Sequence, residues 1–154
     1  MRVSDKGIEL LKELEGWRAK AYLDSVGKLT IGWGHVIVPG DGITPDDTID
    51  KVKGTSLLKR DLNWAEMCVT RNVPDNISQN QFDALVLFTY NVGCAAYNSS
   101  TLYRFIHQSD FDAAAKEFPR WNKGRVDGKL VEIKGLTNRR AKEQDLFNTK
   151  ENEA

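Results

Sequence analysis

Long apolar runs, clustered cysteines and an excess of one charge are all missing from this sequence, and each absence removes a class of function. No stretch approaches the roughly 18 apolar residues that suggest a membrane-spanning helix, so no stable membrane insertion is expected. The start, Met1-Arg2-Val3-Ser4-Asp5-Lys6, is polar and carries no apolar core of a secretory signal. The two cysteines, Cys68 and Cys94, form no C-x-x-C pattern and have no zinc-site neighbours. They read as small buried hydrophobes of a chain made in a reducing compartment, with a disulfide or a reactive thiol as the alternatives. Lys+Arg and Asp+Glu balance at 22 each, beside 14 aromatics (four Trp, four Tyr, six Phe), which argues against a disordered tail or a nucleic-acid arm.

What is present suffices for one domain. The chain has 154 residues, 40% of them hydrophobic. A chain near 150 residues hides roughly 68–70% of its unfolded surface, so neither disulfides nor metal is expected to be needed to hold the fold.

The pattern is α+β and mostly helical. Ser4 caps a first helix with Ile8, Leu11 and Leu14 on one face, stopped near Gly16. Ala21–Asp24 and Leu29–Gly32 read as two strands around a Ser25–Lys28 turn. A long Gly/Pro-containing loop follows, from Val36 to Thr55. From residue 56 the period is helical almost to the end. Ser78 with Gln81 forms a capping box before a nearly all-apolar helix through Phe82, Leu85, Val86 and Phe88. Ser99 or Ser100 opens another helix, and Asp110 opens one stopped by Pro119. Trp121–Gly135 is irregular, with a small hairpin possible over 124–134. Thr137 caps a last helix, and the polar residues from Lys150 onward fray.

The segment joining the first helix to the strands carries chemistry-bearing groups. Glu15 ends the helix, Asp24 enters the turn, and Thr30 lies on the returning strand. A helix end facing a hairpin makes a cleft, and two carboxylates across a cleft are the minimum for breaking a glycosidic bond. One delivers a proton to the leaving oxygen, and the other stays ionised. The negative end of the helix dipole favours a protonated acid at Glu15, while free donors and water at a turn favour an ionised Asp24. Acids nine residues apart are common, so this pair alone does not establish an enzyme.

The full run does more. Glu15, Asp24 and Thr30, with Thr30-Ile31-Gly32-Trp33-Gly34-His35, closely resemble the active-site signature of the phage lysozymes of glycoside hydrolase family 24. Gln81–Leu85, Tyr90–Cys94, Ser99–Leu102, Arg120–Lys123 and Gly135–Ala141 with Leu146-Phe147 are similar to the family's helical lobe. The resemblance implies a single lysozyme-like catalytic domain over 1–154. Its small lobe would span about 14–55, and its helical lobe about 56–150 plus the N-terminal helix, with the cleft between. It implies hydrolysis of the β-1,4 bond between N-acetylmuramic acid and N-acetylglucosamine in peptidoglycan. Glu15 would be the proton donor, Asp24 the second carboxylate, and Thr30 would position the water. An inverting outcome, usual in the family, needs carboxyl groups about 6.5–9.5 Å apart, against roughly 5–5.5 Å for a retaining pair.

The resemblance also implies that His35 pairs with an acid on the next helix, for which Asp61 is the candidate, and that one of Arg139 and Arg140, preferably Arg139, lies near Glu15. Trp33, Tyr90 and Asn91 are candidate substrate contacts, although Trp33, like Trp17, Trp64 and Trp121, also reads as core. Residues 116–142 hold nine Lys/Arg against three Asp/Glu, a basic stretch suited to anionic wall polymers or simply a solvated face. The resemblance further implies a monomer made in the host cytoplasm that depends on a holin to reach the wall. A catalytically silent wall-binding module and a lytic transglycosylase are the competing readings.

Overall fold

The structure is a computed structural model and describes residues 1–151. In chain order it contains α1 (Asp5–Glu15), β1 (Arg18–Leu23), β2 (Leu29–Gly32), β3 (His35–Val36), α2 (Lys51–Thr70), α3 (Gln79–Val92), α4 (Cys94–Asn98), α5 (Thr101–His107), α6 (Phe111–Ala115), a 3-10 turn Phe118–Arg120, β4 (Lys123–Val126), β5 (Lys129–Glu132) and α7 (Lys134–Asn148). Two units emerge, Ile8–Asn63 and Met1–Gly7 with Trp64–Ala154. No helix among the described residues is long and apolar enough to cross a membrane.

In the Ile8–Asn63 unit, β1, β2 and β3 form an antiparallel sheet in that order. Tyr22 pairs with Thr30, Thr30 with Val36, and Ile31 with His35. The tight turn Gly32-Trp33-Gly34 between β2 and β3 is one the sequence pattern did not mark as a strand connection. Beneath the sheet Ile31, Ile43, Ile49 and Leu57 bury together, with Trp17 and Ile37 against them. The long loop is therefore packed, not free: Ile49 N–H donates to the Ala19 carbonyl at 3.0 Å. Helix α2 starts at Lys51, five residues earlier than its apolar period. Asp50 is the missed signal, its carboxylate accepting from Lys53 N–H at 2.8 Å as an N-cap does. Gly54 lies inside α2 at an intrinsic cost. A Cβ there would sit 2.5 Å from Trp17 Cζ3 and 3.0 Å from Trp33 Cζ3, so only glycine lets the helix meet the indole pair.

In the other unit α3 is the core helix, with Phe82, Ala84, Leu85, Val86, Leu87 and Phe88 fully buried. Its capping box is present: Ser78 Oγ accepts from Gln81 N–H at 3.0 Å, and Ser78 N–H donates to Gln81 Oε1 at 2.9 Å. Phe88 meets Phe118, Trp121 and Tyr97 edge-on. The start of the chain is tied here through Asp83, which accepts from Ser4 N–H at 3.1 Å, Gln79 Nε2 at 2.7 Å and the Ser4 hydroxyl.

Three expectations change, and the hairpin reading of 124–134 is the one found. Cys68 and Cys94 are bonded to each other, their Cα atoms 6.1 Å apart, so the buried-thiol reading and its inference of a reducing compartment fall. A separation of 26 carries no geometry; the fold brings the end of α2 and the start of α4 within disulfide reach. The 124–134 segment is a regular antiparallel hairpin, Lys123 opposite Glu132 and Val126 opposite Lys129. Thr137 does not cap α7. The hairpin feeds straight into the helix, Ile133 N–H bonding the Asn122 carbonyl at 2.8 Å, and Thr137 Oγ1 instead accepts from Asn122 Nδ2 at 3.0 Å. The tail does not fray at once. Glu151 Oε1 accepts from Asn80 N–H at 2.8 Å, at the start of α3, and the rest of the proposed tail, 152–154, lies outside the described residues.

Candidate active site

Glu15, Asp24 and Thr30 all belong to the Ile8–Asn63 unit. Glu15 is the last residue of α1, and Gly16 N–H closes the helix on the Lys12 carbonyl at 3.0 Å. The turn between β2 and β3 lies against the Glu15 carboxyl group. A Cβ on Gly34 would sit 3.2 Å from Glu15 Oε2, and Gly34 has φ +77. Glycine at 34 thus satisfies a left-handed backbone and clears the acid at once.

Asp24 is built into the β1–β2 turn. Its Oδ1 accepts from Val26 N–H at 3.0 Å and Lys28 N–H at 2.8 Å, an Asx-type turn. Its own N–H donates to the Lys28 carbonyl at 2.9 Å, and its carbonyl accepts from Gly27 N–H at 3.0 Å. The same Lys28 carbonyl accepts from Thr30 Oγ1 at 3.0 Å. The two backbone groups of one residue, Lys28, therefore fix both side chains: its N–H holds Asp24 and its carbonyl holds Thr30. A hydroxyl has one proton, and Thr30, itself buried, spends it on Lys28, so toward any further partner it is an acceptor. Asp24, when ionised, is also an acceptor only.

His35 does pair with Asp61, Nδ1 to Oδ2 at 2.7 Å, but also with Asp41, Nε2 to Oδ2 at 2.5 Å. Burial alone would lower the imidazole pKa, yet the hydrogen bonds and charges of Asp41 and Asp61 outweigh it, and the net shift is upward from 6.5. Burial pushes Asp41 upward too, but His35, the Val38 N–H and Arg60 reverse the sign, leaving it lowered. For Asp61 burial wins and its pKa is raised. Both ring nitrogens are engaged, which leaves His35 no nitrogen for a general base and supports the structural role. Asp41 was missed because it sits in a Pro-Gly-Asp-Gly stretch that read as loop. Arg60 Nη2 holds its other oxygen at 3.0 Å.

Trp33 is corrected. It is only 6% exposed, its ring 4.4 Å from that of Trp17, with Lys12 Nζ 4.4 Å over its centroid. A ring covered this way is core and offers no open face to a sugar. In the other unit, Tyr90 is half-buried and stacks on Trp64, centroids 5.9 Å apart, while Trp64 is 45% exposed. Asn91 is exposed, and its Oδ1 accepts from Arg140 Nη2. Arg139 is buried, with Nε on Glu143 Oε2 at 3.0 Å and Nη2 on the Leu87 carbonyl at 3.0 Å. Arg139 and Arg140 therefore leave the basic rim, whose exposed members are Lys116, Arg120, Lys123, Arg125, Lys129, Lys134 and Lys142. In the sequence Trp64 read as core, and Arg140 stood only as the alternative to Arg139 that the family likeness offered.

The Phage lysozyme family, described as phage lysozyme, matches residues 12–143. The chain is 40% identical over 151 residues to the endolysin of Bacillus phage PZA, covering 97% of this chain but spanning only 56% of that relative's length. It is 39% identical over 148 residues to the endolysin of Salmonella phage P22, covering 96% of this chain and 98% of the relative. A crystal structure of a P22 lysozyme mutant superposes with a TM-score of 0.85 over 97% of this chain and 99% of that one. The muramidase domain of SpmX from Asticaccaulis excentricus, 31% identical, superposes with a TM-score of 0.87 over 97% of this chain and 99% of that one. The mostly helical α+β architecture is thus the lysozyme fold, and the chain belongs to the phage lysozyme family, by class lysozyme-type glycoside hydrolases.

Proposed function

We propose that the two units act as one catalytic domain, a muramidase that hydrolyses the β-1,4 bond between N-acetylmuramic acid and N-acetylglucosamine in peptidoglycan. The observation that carries this is a pair of turns in one sheet, one packing Gly34 against the Glu15 carboxyl group and the other holding Asp24 on the Lys28 N–H and Thr30 on the Lys28 carbonyl. In this reading the Glu15 carboxylic acid gives its proton to the glycosidic oxygen as the C1–O bond breaks. A water donates one hydrogen to Thr30 Oγ1 and the other to Asp24, so its lone pair is left for C1. As the new C1–O bond forms, Asp24 takes the water's proton. Attack from the face opposite the leaving group inverts the anomeric centre. Arg139 would orient the acid, and Tyr90 and Asn91 would contact the saccharide, both carried over from the family resemblance. In the setting that resemblance implies, the chain is a monomer made in the host cytoplasm that reaches the wall once a holin has opened the membrane.

Digestion of purified sacculi tests the reading, with product masses and end groups determined by mass spectrometry. Reducing N-acetylmuramic acid ends are expected. Anhydro ends, or no cleavage, would overturn it. Glu15→Gln should lower turnover by at least ~10³-fold, about 4 kcal/mol of barrier.

A further inference from the structure

We propose that Arg140 is a positioning residue that fixes the Asn91 amide with its NH2 group outward, so that Asn91 reads a hydrogen-bond acceptor, the acetamido carbonyl of an N-acetylhexosamine. The proposal deepens the muramidase reading and rests on it.

Arg140 has no exposed surface. Arginine is almost never fully buried unless it is paired. Here the guanidinium lies 5.1 Å from the Phe88 ring centroid, its Nη1 is 3.0 Å from Glu143 Oε1, and its Nη2 donates to Asn91 Oδ1. Glu143 is itself fully buried, and its other oxygen holds Arg139. Nε and Nη1 of Arg140 make no hydrogen bond among the described residues, so the guanidinium is held from behind by the charge of Glu143, and its hydrogen bond goes through Nη2 to Asn91 at the end of α3.

Donor chemistry then decides the orientation of the amide. A guanidinium has five N–H donors and no acceptor, so the Asn91 atom facing it has to be the oxygen. The usual ambiguity between amide oxygen and nitrogen is removed by the partner, not by the coordinates. Oxygen and nitrogen point apart on the amide carbon, so the two N–H donors face away from Arg140, on an exposed residue. The preceding residue, Tyr90, stacks on Trp64, which is nearly half exposed. A fixed pair of outward N–H donors fits the carbonyl of a neutral amide-bearing sugar. A free-rotating asparagine would read donors and acceptors alike; this one reads acceptors.

The test uses the full chain in a Glu15→Gln background, titrated with the hexamer of N-acetylglucosamine and with its deacetylated counterpart. These probes lack lactyl and peptide-stem carboxylates, and titrated at a pH where the deacetylated sugar's amines are uncharged, a preference between them reports on the acetamido group. Asn91→Asp keeps an oxygen for Arg140 but has no donor. It should lose about tenfold in affinity for the acetylated hexamer, the worth of one good hydrogen bond, and lose the preference over the deacetylated one, with an unchanged melting temperature. Arg140→Lys keeps the charge but not the planar fork. It should give the same loss, and the double variant should be no worse than either single one. In active enzyme on sacculi, Asn91→Asp should raise KM and leave kcat in place. Acetylated-hexamer binding within twofold of the parent for Asn91→Asp would overturn the proposal, and so would independent, additive losses in the double variant. If Arg140→Lys does not fold, the side-chain amide resonances of Asn91 decide. They should shift with the acetylated hexamer only; no shift overturns the proposal. Failure of the unsubstituted chain to cut sacculi would count against the muramidase reading and leave these binding results to judge Asn91.

Discussion

Asp24 is both a turn former and the proposed ionised carboxylate, and one substitution separates the two jobs. Asn at 24 keeps an Oδ1 for the Val26 and Lys28 N–H groups, so the β1–β2 turn should survive, while the charge is lost. Asp24→Asn should leave the melting temperature within a degree or two yet cut sacculus hydrolysis by about 10²-fold or more, the scale of a lost acid–base group. A comparable loss of both would make Asp24 merely structural. His35 makes a prediction of the opposite kind, on stability and not on rate. Its folded-state pKa is raised, so its contribution is fully present below the unfolded value of 6.5 and lost as pH rises through the folded value. Asp41, lowered from 3.8, contributes above that value and loses its part as pH falls, whereas Asp61, raised by burial, works against the fold as it ionises. Those two act at acid pH, so the limb above 6.5 belongs to His35. Thermal unfolding should fall off on that limb in the parent chain and be flatter in His35→Gln.

Between elements, the bond that matters most for stability is Cys68–Cys94, linking α2 to α4. It closes a loop with a sequence separation of 26. Chain-entropy reasoning gives about 3–4 kcal/mol for such a loop, near 10 °C in melting temperature for a chain of this size. Reduction, or Cys68→Ala with Cys94→Ala, should lower the transition by that amount; an unchanged transition would show that α2 and α4 are held by packing alone. The short helices have their own local devices. Ser100 Oγ accepts from Tyr103 N–H at 2.9 Å and Asp110 Oδ1 from Ala113 N–H at 3.2 Å, which is why helices of seven and five residues persist.

For the whole molecule, zero net charge hides a local asymmetry. With Arg139 and Arg140 buried, seven exposed cations remain between 116 and 142. Peptidoglycan and its associated polymers are anionic, so clearing of permeabilised cells should slow as salt rises and screening shortens the reach of these charges. Replacing Lys123, Arg125 and Lys129 on the hairpin by Gln should flatten that dependence without changing product masses. If salt affects both chains equally, the basic face is only solvated.

Local structure was legible in the sequence: the Ser78–Gln81 capping box, the stop at Gly16 and the β1–β2 turn, whereas the run from Glu15 to His35 was read through the family likeness. The first three depend on neighbours a few residues apart, where spacing alone sets geometry. Asp61 as the partner of His35 came from the family likeness, not from spacing. Tertiary packing alone decided the rest. It joined Cys68 to Cys94, folded Asp41 back onto His35, covered Trp33 with Trp17, and buried Arg140 behind Asn91. Those contacts span 26, 6, 16 and 49 positions. Even the shortest of them depends on where a loop is packed, because burial and pairing are properties of what surrounds a side chain and not of the residues beside it in the chain.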